Sequence, residues 1–249
     1  MKPKTKNEAV MIEAKEIVQV LGDGAARVQA LKGVDLALAG GELALLMGPS
    51  GSGKTTLLSV LGCMLSPTAG TINICGRSTT GLDAEALAEL RRQHIGFVFQ
   101  SYHLFPTLTA AENVQLALDV RGDRSPLMGV RAEAALDTVG LAHKANSFPR
   151  ELSGGEQQRV AVARAIVGGA SLILADEPTA ALDSENGHAV MTVLADIAKD
   201  ANRALFIVTH DPRLIPFADR ILRIEDGRIV NDQRHGKHSG EVRKLKYAS

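Results

Sequence analysis

The run Gly48-Pro49-Ser50-Gly51-Ser52-Gly53-Lys54-Thr55-Thr56 has the glycine spacing and Lys-Thr ending of a loop that wraps phosphate groups. Glycines at 48, 51 and 53 free the backbone to turn successive N–H groups toward anionic oxygens. A helix starting there adds partial positive charge at the same point. Lys54 is placed to reach β- and γ-phosphates, and the Thr55 hydroxyl to ligate Mg²⁺. Far along the chain, the apolar run from Ser171 ends in Asp176-Glu177. Asp176 suits an outer-shell role on Mg²⁺, and Glu177 a general base acting on an attacking water. A second apolar run, Leu205-Phe206-Ile207-Val208-Thr209, ends at His210.

The elements that must hold these groups can be read from periodicity. Residues 42–47 form a short buried strand ahead of the loop, and residues 55–65 a helix with Leu57, Leu58 and Leu61 on one face. Residues 11–38 are strand-like and broken by Gly22-Asp23-Gly24. Further strands are expected at 71–76, 95–100, 171–176 and 205–210, so that polar residues gather at strand ends, where α/β sheets bind ligands. Asp83 caps a helix through Arg92, Thr109-x-x-Glu112 opens another, and residues 130–139 are amphipathic. Residues 101–160 are therefore mostly helical, a helical part set into an α/β core.

Ser153-Gly154-Gly155-Glu156 is also a capping box. Two glycines in the first turn cost helix stability unless something approaches the backbone closely, and a bare helix N-terminus with a hydroxyl is a second candidate phosphate site. The chain closes with a hairpin at 221–230 around Asp226-Gly227, followed by a polar tail from Asn231. His235 and His238 in that tail carry no metal reading.

Composition narrows the class. The 249 residues carry 28 basic and 28 acidic side chains, so bulk charge favours neither nucleic acid nor an anionic membrane. With no Trp, two Tyr and six Phe, the core must be built from Ala, Val, Leu and Ile. Cys63 and Cys75 are too few for a metal or disulfide framework, and no apolar run is long enough to span a bilayer. The expected compartment is the cytosol.

These elements together resemble the ATP-binding cassette of ABC transporters over about residues 11–231. Residues 48–55 resemble the Walker A motif, Gln100 the Q-loop, and Leu152-Ser153-Gly154-Gly155-Glu156-Gln157 the LSGGQ-type signature, with Glu156 ahead of Gln157. Residues 172–176 resemble Walker B, Glu177 the catalytic carboxylate, Ala181-Leu182-Asp183 the D-loop and His210 the switch histidine. The resemblance implies an α/β P-loop NTPase fold: a RecA-like core, an N-terminal antiparallel β part and a helical subdomain inserted at about 101–160. All 249 residues would form one domain, with polar tails at 1–9 and 232–249.

The same resemblance implies a site. Glu177, His210, Gln100 and Lys54 would be catalytic, and Thr55, Gln100 and Asp176 would serve Mg²⁺. ATP would rest on Gly48, Pro49, Ser50, Gly51, Ser52, Gly53, Lys54, Thr55 and Thr56 of one subunit. Ser153, Gly154, Gly155, Gln157 and Asp183 of a second copy would cover it, in a homodimer with ATP at the interface. A membrane permease is the implied partner, with a periplasmic adaptor and no nucleic acid, at the cytoplasmic face of the inner membrane. Residues 90–100 and 104–114 resemble the lipoprotein-release and macrolide-export branch, and residues 177–184, 217–221 and 225–227 the DevA-like glycolipid exporters. Export of a lipid, lipoprotein or hydrophobic drug-like substrate follows. The alternative is a soluble ABC ATPase of the iron–sulfur cluster assembly type. One departure stands out: the family usually places an aromatic near Leu21 to stack on adenine, yet no aromatic precedes Phe97. Leu21 and Val28 are the expected aliphatic substitutes.

Overall fold

A computed structural model describes residues 9–234. The remainder of the expected tails, with His235 and His238, lies outside the described residues.

The chain opens with β1 (Val10–Leu21) and β2 (Val28–Ala39), paired antiparallel across the Gly22-Asp23-Gly24 break. β3 (Leu43–Met47) is buried throughout and runs into the glycine-rich loop and α1 (Lys54–Leu61). α1 stops at Leu61 rather than near 65: Gly62 caps it, Cys63 turns left-handed at φ 54°, and the Met64 and Leu65 amides both donate to Ser59 O. β4 (Ala69–Ile74) and β5 (Arg77–Ser78) complete a four-stranded antiparallel sheet in the order β2-β1-β4-β5.

α2 (Ala84–His94) is capped by Asp83, which accepts from the Ala86 amide, and leads into β6 (Ile95–Phe99). Between β6 and β7 (Leu172–Asp176) come α3 (Ala110–Val120), α4 (Met128–Thr138) and α5 (Gly154–Ile166), which pack on one another. Thr109 with Glu112, and Ser153 with Glu156, form the two expected capping boxes. α6 (Ser184–Ala198) has no counterpart in the sequence reading, although Val190, Met191, Leu194, Ile197 and Ala198 recur at helical spacing and are buried. β8 (Ala204–Val208), β9 (Arg220–Glu225) and β10 (Arg228–Arg234) end the described chain.

The second sheet has the order β10-β9-β3-β8-β7-β6. All its neighbours are parallel except β10, which returns antiparallel through Asp226 (φ 45°) and Gly227 (φ 75°). Two positive φ angles make a turn whose twist suits a hairpin. The polar tail expected from Asn231 is corrected here: β10 continues to Arg234 because Asp232 turns inward onto Arg220, at 2.7 and 2.6 Å. β3 and β8 are buried at every position and β7 at all but Asp176, covered by helices or the antiparallel sheet on both faces, which is why they read as unbroken apolar runs. One core lies between this sheet, α1 and the antiparallel sheet; the other lies under α3 to α6. Because β3, β6, β7 and β8 are parallel, their carboxyl ends share one edge, and the residues following each strand collect there. This is the architecture the sequence implied: a parallel core, an antiparallel N-terminal sheet and a helical insertion. Among the described residues, no helix is long and apolar enough to cross a membrane.

Candidate active site

The glycine-rich loop is built tightly against the rest of the chain. Gly53 caps α1 at φ 102°, and Gly51 sits at φ 77°, both in the region that favours glycine. A Cβ on Gly48 would stand 2.2 Å from Ile224 O, and one on Gly53 2.7 Å from Ala30 O. Larger residues would push β9 and β2 off the loop. No side chain caps α1, so its first N–H groups face the loop. Lys54 Nζ arches over that loop, donating to Gly48 O and Pro49 O, each at 2.8 Å.

Facing it, Asp176 ends β7 and Glu177 follows in a left-handed turn at φ 47°. Such a backbone is sparsely populated by residues with a Cβ and is held here by the Glu177 amide donating to Val208 O at 2.9 Å. Both Glu177 oxygens are engaged: Thr209 Oγ1 donates to Oε2 at 3.1 Å, and His210 Nδ1 lies 2.6 Å from Oε1. Burial, and then the neighbouring Glu177 charge, push the Asp176 carboxyl above its ordinary value; the Thr55 hydroxyl bonding to it and the Lys54 charge pull the other way.

These groups line one cavity of about 500 Å³. Its phosphate end is made by Ser50, Gly51, Gly53, Lys54, Thr55 and Thr56, with Asp176, Glu177 and His210 opposite. Away from the phosphate end it is lined by the aliphatic Leu21, Val28 and Ala30, with Gln29, Asp226 and Gly227 among them. The remaining sequence-derived site residues lie elsewhere. Gln100 is exposed just past β6, and Ser153, Gly154, Gly155, Gln157 and Asp183 do not line the cavity. Ser153 caps α5, Gln157 Nε2 donates to Leu152 O at 3.1 Å, and Asp183 caps α6 by accepting from the Asn186 amide at 2.9 Å.

The two signature glycines have a reason inside the chain that the sequence did not reveal. A Cβ on Gly155 would fall 2.3 Å from Asn186 Oδ1, and one on Gly154 2.9 Å from the Tyr102 hydroxyl. Their helical cost is therefore offset at least in part by close packing on α6 and on the segment after β6. The sequence reading also missed Thr209, whose signal is a polar residue closing a buried strand, and Gln158. Gln158 is fully buried and donates to Pro178 O at 2.7 Å, directly behind Glu177.

Residues 31–180 match the family model described as ABC transporter. The chain is 44% identical over 224 residues to the macrolide export ATP-binding/permease protein MacB 1 of Aeromonas hydrophila subsp. hydrophila, covering 90% of this chain and 34% of that protein. It is 43% identical over 222 residues to MacB of Shigella flexneri, covering 89% and 34% respectively. The chain thus spans about a third of the length of these curated relatives. Among solved structures, it is similar to the ATP-binding cassette MJ0796, a dimer in a post-hydrolysis state bound to ADP and Pi. That likeness has 40% identity and a TM-score of 0.82, and covers 91% of this chain and all of the other. CbiO1 of Clostridium perfringens, part of the ABC transporter complex cbiONQ, matches at 26% identity and a TM-score of 0.80, covering 90% of this chain and 88% of that one. With over half its length in the family model and a cassette fold throughout, the chain belongs to the ABC transporter family, as an ATP-binding cassette and ATPase.

Proposed function

We propose that this cassette hydrolyses ATP between two copies of itself and so drives a membrane permease, at the cytoplasmic face of the inner membrane. The cargo would be a lipid, a lipoprotein or a hydrophobic drug-like molecule, an extension from the macrolide-export relatives. The observation that carries the chemistry is the Glu177 carboxylate, fixed through both oxygens by Thr209 and His210, across the cavity from Lys54 and Thr55. We read residues of about 11–231 as one cassette, with 101–160 as its helical arm.

In this reading residues 48–56 bind the phosphates through backbone N–H groups, and Lys54 leaves its loop carbonyls for the β- and γ-phosphate oxygens. The oxygen-only set of Thr55 and the adjoining, partly desolvated Asp176 suits a hard cation. Thr55 and Gln100, with Asp176 through water, would hold Mg²⁺, which offsets charge on the phosphates when bound. Glu177 accepts the proton of the attacking water, while His210 holds the carboxylate and the γ-phosphate side in register. Leu21 and Val28 support the adenine by apolar contact.

Ser153, Gly154, Gly155, Gln157 and Asp183 do not line this cavity, and in this reading they meet the nucleotide held by a second copy. The dimeric state of the related cassette MJ0796 supports that arrangement. A groove between β6 and α3, with Phe97 and Phe99 at its floor and Arg91, Arg92 and Arg121 around it, offers the permease a docking place. A periplasmic adaptor would complete an export assembly.

The test is to purify the Glu177→Gln protein from native membranes with ATP and identify what accompanies it. A permease with few spans and a large extracytoplasmic domain supports export. Recovery with a soluble assembly complex alone overturns the transporter reading and favours a soluble ATPase of the iron–sulfur assembly type.

A further inference from the structure

The segment after β6 is strained, and one side chain of α5 holds it. Tyr102 and His103 have φ of 58° and 50°, two successive residues with a Cβ in the left-handed region. Arg164 donates Nη2 to Tyr102 O at 2.7 Å and Nη1 to His103 O at 2.5 Å. Burial lowers its guanidinium from the ordinary value, and among the described residues no carboxylate pairs with it. A partly buried cation is thus spent on two neighbouring carbonyls of a strained turn. The rest of the turn is held by the Tyr102 amide on Phe99 O at 3.3 Å and by the His103 ring, 5.0 Å from that of Phe99.

The same helix grips the turn's other end. Gln158 Nε2 donates to Phe99 O at 3.3 Å as well as to Pro178 O. Gln100 therefore sits between two anchors of α5, whose N-terminus is the Ser153-Gly154-Gly155 cap.

We propose that Arg164 is a positioning residue: it holds the 100–103 turn in its strained form, and so sets where Gln100 can stand relative to the hydrolytic site. This rests on the ATPase reading above. A shift of α5 on engagement of its N-terminus moves Arg164 and Gln158 together, and Gln100 moves with them. The planar fork of arginine matches two adjacent carbonyls, which the single ammonium of lysine does not.

The test compares Arg164→Lys and Arg164→Ala, each alone and combined with His103→Gly, in the full chain. Glycine takes the left-handed backbone without the Cβ penalty, so it relieves the need for the clamp. Turnover, KM for ATP, the Mg²⁺ concentration for half-maximal turnover and the thermal midpoint are measured together. The expected result is a kcat lowered about tenfold in Arg164→Lys, with KM for ATP within about twofold of wild type. The Mg²⁺ requirement rises several-fold, and His103→Gly restores most of the lost kcat. Unchanged kcat and Mg²⁺ requirement overturn the proposal. So does a loss that follows the thermal midpoint and that His103→Gly does not relieve. Wild type and Glu177→Gln run in the same series, so a failure of the catalytic reading shows in that pair and a failure of the clamp shows in the Arg164 set.

Discussion

His210 Nδ1 lies 2.6 Å from Glu177 Oε1, yet the His210 side chain is 72% exposed and that of Glu177 only 15%. The histidine is thus the movable member of the pair and the carboxylate the fixed one. What fixes the carboxylate is Thr209, buried beneath it and bonded to its second oxygen. Thr209→Val keeps the shape and removes the donor. It should lower kcat about tenfold and leave KM for ATP nearly unchanged, because the bond orients a base rather than binding substrate. Steady-state kinetics on the two proteins decide it.

Asp176 carries a cost in the nucleotide-free fold. Its carboxyl is raised above the ordinary value of 3.8, first by burial and then by the Glu177 charge. A raised carboxyl binds its proton more tightly folded than unfolded, so stability falls as pH rises from near 3.8 through the folded value. Above that window the full penalty applies. Asp176→Asn should therefore raise Tm at neutral pH without nucleotide while abolishing turnover. The gain should shrink as pH falls through the window, which thermal unfolding across pH will show.

Gly155 has no room for a methyl group, since its Cβ would meet Asn186 Oδ1 at 2.3 Å. Gly155→Ala should destabilise the fold by roughly 1–3 kcal/mol, the usual penalty for overpacking. Part of that should return in the Asn186→Ala background, which removes Oδ1 and Cγ but keeps the Cβ at 2.9 Å, if the contact with α6 is the cause. Denaturant unfolding of the single and double variants measures it.

A cavity lining without Phe, Tyr or Trp sets a limit on base selection. Leu21 and Val28 offer apolar contact but no ring to stack on adenine. ATP and GTP should therefore bind with comparable affinity, and placing Tyr at Leu21 should tighten both. Calorimetric titration with each nucleotide checks this; a strong preference for ATP counts against it.

The phosphate loop, the carboxylate pair and His210 were legible because each sits where a simple pattern ends: a glycine series before a helix, or an apolar run stopping at a polar residue. Parallel pairing then brings those ends together, so local signals were enough to forecast a shared site. Pairwise contacts between distant segments left no such mark. Nothing around Asp232 announces its buried pairing with Arg220, which carries β10 past the point where polarity suggested a tail. Arg164 and Gln158 carry no local signal of a role, which emerges only when the fold brings the turns after β6 and β7 against them. The signature glycines were read as clearance for a ligand, and packing on Asn186 and Tyr102 supplies a second cause.

The central claim is that Glu177 is the base and that ATP joins two copies. The most direct measurement is light scattering and ATP turnover on Glu177→Gln beside wild type. A variant that binds ATP, fails to hydrolyse it and persists as a dimer only while ATP is present is the predicted result. Wild-type turnover in that variant, or a mass that stays monomeric with ATP bound, would contradict it.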